Sequence, residues 1–172
     1  MSLGMFFSYV RSFAACHNPL GANLINYATF VGVIHHELSH ALLVILTGAK
    51  LSRVQLFNLN HSDGFLGSVS YYSRGGVILK SIQKTLISVA PIFMGLITCS
   101  LMYTYLYPIA TATIWGTLLF YYVWISIILH MSLSHQDIEV MKEGIFIFVL
   151  LMTVIFYVFH IDFVVILLKA IR

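Results

Sequence analysis

His36, Glu37 and His40, inside the stretch IHHELSH (Ile34 to His40), spell H-E-x-x-H. On an α-helix His36 and His40 are i and i+4, stacked on one face where both imidazoles can reach one ion, and Glu37 is turned about 100° away from His36. Zinc takes neutral imidazole nitrogens, and two histidines with one more protein ligand leave a fourth position for water. Glu37 is then placed to take that water's proton as general base. The cluster sits in an apolar run from near Gly21 to near Gly48, and each ionisable group in a bilayer costs about 3 kcal/mol or more, so three at helical spacing need a purpose. The histidine face continues through Thr29, Gly32, Val33, Leu43 and Thr47, small or polar at several points, as where another helix or a water-filled cavity approaches. His35 points elsewhere and reads as a supporting or packing histidine.

The third ligand is sought in SIILHMSLSHQD (Ser126 to Asp137). Ser126, His130, Ser134 and Asp137 are spaced by four, four and three, so an unbroken helix puts them on one face, with His135 off it. Asp137 and His130 both suit zinc, but about 10 Å of helix rise separates them, and a straight helix brings only one to the metal.

The elements that must position these groups follow from the apolar pattern. Apolar residues make up 60% of the 172-residue chain and charged residues 9%, with a mean hydropathy of +0.94, the composition of a chain solvated largely by lipid. Four runs are long enough to cross a bilayer, near Gly21 to Thr47, Ile82 to Tyr107, Ala110 to Leu133 and Gly144 to Leu168. YPIA around Pro108 reads as a minimal loop, making the second and third spans antiparallel neighbours. Between the first two spans, LSRVQLFNLNHSDGFLGSVSYYS (Leu51 to Ser73) alternates apolar and polar residues around HSDG, the pattern of two strands and a turn. The fold expected is an all-α membrane protein of about four transmembrane helices with a short β-hairpin between the first and second. It forms one integral membrane domain over residues 1–172, with an interfacial segment at 1–18, the hairpin at 50–73 and a catalytic core at 21–143.

Lys50, Arg53, Arg74, Lys80, Lys84 and Lys142 fall on the hairpin side, against Arg11, Lys169 and Arg172 on the other, which predicts a cytoplasmic hairpin and a site opening toward the cytoplasm, in the plasma membrane. A net charge of +3 with scattered basic residues carries no nucleic-acid footprint. Cys16 and Cys99 belong to no CxxC pair, so neither a thiolate zinc site nor a disulfide framework is indicated. His17 and His61 have no partners at ligand spacing, His160 and Asp162 read as interfacial anchors near Lys169 and Arg172, and the aromatic residues from Tyr103 to Trp124 read as an interfacial belt and helix packing.

HELSH in one span, a hairpin, a proline-containing span with SVAPIFMG, and then SLSHQD together resemble the site-2 protease family of intramembrane zinc metalloproteases, in particular its minimal branch with Ser-x-x-Asp, here Ser134 and Asp137. The resemblance covers Gly21 to about Glu143. Ile138 stands where the family's usual glycine follows the aspartate, and the asparagine near the proline is missing. The resemblance implies one zinc ion per chain on His36, His40 and Asp137, Glu37 as the base, and a transmembrane protein or peptide within the lipid bilayer as substrate. It carries over no residue for oxyanion stabilisation, and His130 is expected in that role. Under this reading the hairpin edge holds an unwound substrate by β-augmentation. Two other classes compete: a membrane di-iron lipid desaturase or hydroxylase, because HHELSH and HMSLSH resemble histidine boxes, and a non-catalytic adaptor that keeps a protease-like fold. Oligomeric state is left open.

Overall fold

The computed structural model describes residues 27–57 and 67–158. The interfacial segment expected at 1–18, the HSDG turn, and His17, His61, His160 and Asp162 lie outside the described residues.

Helix α1 (Phe30–Leu46) carries the H-E-x-x-H residues in its middle. Its buried face includes Val33, Glu37, His40 and Val44, whereas Leu38, Leu42, Ile45 and Leu46 are exposed. It ends in a glycine cap: Gly48 takes φ +75, its N–H bonds the Ile45 carbonyl, and the Ala49 N–H reaches back to the Val44 carbonyl at 3.0 Å. This cap closes the last turn and sends the chain out sideways. Strand β1 (Lys50–Gln55) then pairs antiparallel with β2 (Ser68–Tyr72), Leu51 opposite Tyr71 and Val54 opposite Val69, with a bulge between Leu51 and Arg53. Both strands fall inside the expected hairpin stretch.

Helix α2 (Val77–Leu101) contains Pro91 and continues through a π-helical turn at Met102–Leu106 and a last α turn at Tyr107–Ala110. YPIA is therefore helical; the break comes after it, where Thr113 Oγ1 accepts the Gly116 N–H and starts α3 (Ile114–His130). Helix α4 (His135–Val158) follows a four-residue break. The second and fourth helices thus begin earlier than the apolar runs suggest, because charged residues such as Lys80, Lys84 and Lys142 sit within the first eight residues of these helices, near the end where long side chains can reach the surface. The third is shorter than expected at both ends. Two helical stretches, Val77–Ala110 and His135–Val158, are long and apolar enough to cross a membrane; α1 and α3 are apolar but shorter.

Helix α1 packs against both α2 and α3, and α4 lies along α2. The contacts use small and polar residues. The Gly32 N–H donates to Ser126 Oγ (2.8 Å), which donates in turn to the Thr29 carbonyl (2.9 Å), joining α1 to α3. Gly144 of α4 sits on the Ser81 carbonyl and Thr85 of α2, and Lys84 pairs with Glu143 across the same contact. The interior consequently holds many polar groups: Glu37, Ser39, His40, Ser81, Gln83, Thr85, Ser88, Ser126 and His130 are buried beside Val33, Val44, Ile87, Phe120 and Ile127, while Phe93, Leu96, Ile97, Trp115, Leu119, Phe146 and Val149 face outward.

Gly32 has no room for a side chain. A Cβ there would run into the Ser126 carbonyl and approach His130 Nδ1 to 2.5 Å, so Gly32→Val is expected to force α1 and α3 apart at a cost of about 1–3 kcal/mol or more. A lowered midpoint of unfolding in detergent would show this; an unchanged midpoint would mean that the α1–α3 contact is dispensable.

Candidate metal centre

His36 and His40 each use Nδ1 to bond a main-chain carbonyl: His36 that of His130 and His40 that of Ile87, both at 2.8 Å. A carbonyl can only accept, so both rings carry a proton on Nδ1, which in the neutral imidazole leaves the Nε2 lone pair to bind an ion.

Both carbonyls are available for a local reason. The regular helical donor to Ile87 would be the N–H of residue 91, which is proline and has none. The corresponding donor to His130 would be the N–H of Ser134, but that group bonds Asp137 Oδ2 at 2.8 Å. Each freed carbonyl takes a histidine instead.

The two Nε2 atoms lie 3.1 Å apart. Asp137 completes the set, with Oδ1 3.1 Å from His40 Nε2 and Oδ2 3.5 Å from His36 Nε2. One ligand atom from each residue falls within 4.8 Å of the others. With both rings neutral and protonated on Nδ1, these facing atoms are all acceptors, a cluster that repels itself unless a proton or a metal cation lies among them. Ligand atoms about 2.0–2.2 Å from a tetrahedral zinc ion stand roughly 3.3 Å from one another, close to the spacings found here. The donor set and its geometry therefore fit a metal ion.

Asp137 reaches the site from the first turn of α4, not from the end of the third span. Ser134 and Asp137 form a reciprocal cap: the Ser134 N–H and hydroxyl both donate to Oδ2 (2.8 and 2.6 Å), and the Asp137 N–H donates to Ser134 Oγ (3.2 Å). The expected single helical face from Ser126 to Asp137 is thus broken after His130. The signal was present, since Ser-x-x-Asp ahead of an apolar run is a helix-start pattern, but its spacing also continues the polar stripe. The cap ties down Oδ2 and leaves Oδ1 turned to His40.

Glu37 lines the same cavity, of about 190 Å³, together with His36, His40, Asp137, Tyr71 and Gly67. Gly67, just before β2, covers it closely: a Cβ there would lie 2.6 Å from Glu37 Cγ and 3.0 Å from Oε1. Sequence reasoning missed Gly67 and Tyr71, whose places depend on how the hairpin folds back. Burial, and then the charges of Asp137 and Glu143, push the Tyr71 phenol up to about 12.

His130 stands behind His36. Its carbonyl supports that ring, its Nδ1 contacts the Ser126 carbonyl at 3.0 Å, and it is not among the residues lining the cavity. His35 turns to α2, where Nε2 meets Thr98 Oγ1 at 3.0 Å. Comparison of the chain with protein-family models, with characterised proteins and with solved structures finds no match.

Proposed function

We propose that this protein is a zinc-dependent intramembrane endopeptidase that hydrolyses peptide bonds of membrane-embedded proteins or peptides, with His36, His40 and Asp137 as metal ligands and Glu37 as the base. The observation that carries this reading is the convergence of three acceptor side chains, two of them locked with Nε2 outward, beside a buried glutamate in one cavity. A zinc ion held there would supply a Lewis acid for the scissile carbonyl and lower the pKa of a water. The chain's own residues do the rest. Glu37 takes a proton from the attacking water through its carboxylate and can pass it to the leaving nitrogen. Gly67 and the hairpin cover the glutamate and restrict water around it.

The buried polar groups, the apolar exterior and two helices long enough to span support a multi-pass position in a bilayer, with the two shorter apolar helices embedded beside them. Lys50, Arg53, Arg74, Lys80, Lys84 and Lys142 all belong to the hairpin and the helix ends near it, which supports a site facing the cytoplasm. The hairpin edge is suited to receive a substrate segment as an added strand. The di-iron alternative requires a second ligand set, and among the described residues one three-ligand group is assembled.

Metal analysis of the purified chain tests the reading. One zinc per chain is expected, lost when His36 and His40 are both replaced by alanine; two irons per chain would overturn it.

A further inference from the structure

Peptide hydrolysis builds negative charge on the scissile carbonyl oxygen, and a site that catalyses it gains most from a donor already aimed at that charge. His36 and His40 have committed their N–H groups to carbonyls. Glu37 and Asp137 act as acceptors, and the Ser134 hydroxyl is bound to Asp137. His135 and Gln136 line the cavity but are exposed.

Tyr71 differs from all of these. It lines the cavity from β2, and its hydroxyl is closed off from solvent with no hydrogen-bond partner among the described residues. Such a group costs roughly 1–3 kcal/mol while it stays unpaired, and a residue serving only as packing could be phenylalanine. Its placement is also well supported. Tyr71 pairs with Leu51 across the hairpin, and buried Gln83 clamps the hairpin's exit to the end of α1, accepting from the Arg74 N–H (2.9 Å) and donating to the Thr47 carbonyl (3.0 Å).

We propose that Tyr71 is a catalytic hydrogen-bond donor, its phenol O–H binding the scissile carbonyl oxygen and the oxyanion that develops there. The inference rests on the peptidase reading above. The proton stays on the phenol throughout, so no covalent or transfer step is involved. A donor carried by the hairpin also means that the cavity is chemically complete only when the hairpin is seated.

The test uses the full chain, zinc-loaded in proteoliposomes, titrated with a phosphinic dipeptide as a tetrahedral anionic mimic of the transition state. Tyr71→Phe should keep one zinc per chain and bind the probe about 10- to 100-fold more weakly than wild type. Equal binding by Tyr71→Phe with zinc retained overturns the role of Tyr71 and leaves the peptidase reading standing. Zinc-loaded wild type that does not bind the probe also overturns it, whereas wild type without zinc brings down the peptidase reading itself. If Tyr71→Phe does not fold, 3-fluorotyrosine at position 71 offers a more acidic donor: tighter probe binding supports the proposal, and unchanged or weaker binding overturns it.

Discussion

Replacing Asp137 by alanine is expected to weaken zinc binding by more than about 100-fold, whereas His130→Ala should change it by less than about 10-fold. The asymmetry follows from where each residue sits. Asp137 Oδ1 faces His40 Nε2 at 3.1 Å, so its loss removes one of the three candidate ligands. Its loss also frees the Ser134 N–H to compete for the His130 carbonyl that orients His36. His130→Ala removes a ring but keeps that carbonyl. Ser134→Ala separates the two contributions of Asp137: the carboxylate remains but loses the hydroxyl that anchors it, and an intermediate loss of about 10-fold is expected. Zinc per folded chain, measured against a competing chelator, gives the order. Retention by Asp137→Ala together with loss by His130→Ala would reverse the ligand assignment.

Glu37→Gln is expected to retain zinc and to lower peptide cleavage by about 10³- to 10⁴-fold. The amide matches the carboxylate in shape, so the close contact with Gly67 is preserved, and Glu37 lies outside the group of residues that could hold the ion. What disappears is the ability to take a proton. Membrane proteins that accumulate uncut in cells carrying the variant would identify the substrate at the same time. Unchanged protein patterns with zinc retained would instead favour the non-catalytic adaptor.

Much of this site could be read from the sequence because its parts are local. H-E-x-x-H places two candidate ligands and a candidate base on one helix, and period-two alternation marks both strands of the hairpin. The sequence also points to Asp137 as a candidate ligand, but on the wrong helix. The polar positions Ser126, His130, Ser134 and Asp137 keep helical spacing across the break at residues 131–134, so periodicity alone runs through it, and only the reciprocal Ser134–Asp137 cap reveals a new start. Gly67 and Tyr71 were not legible for a different reason. Their closeness to Glu37 and to the cavity is set by how the hairpin folds back over α1, a long-range matter that strand alternation does not encode. The expected oxyanion role of His130 came from the same unbroken-helix picture; the observed break leaves its backbone supporting His36 instead.

The two carbonyls that hold the histidines belong to different helices, Ile87 to α2 and His130 to α3, while the rings come from α1 and the carboxylate from α4. Four helices therefore vote on one set of coordinates. A slip of any of them by a single residue would rotate a ring or withdraw an oxygen, and a partly assembled bundle would hold no ion well. With a metal at this site, occupancy would thus be a gauge of tertiary assembly, and Pro91 would contribute to that gauge by subtraction, through a proton its backbone does not have.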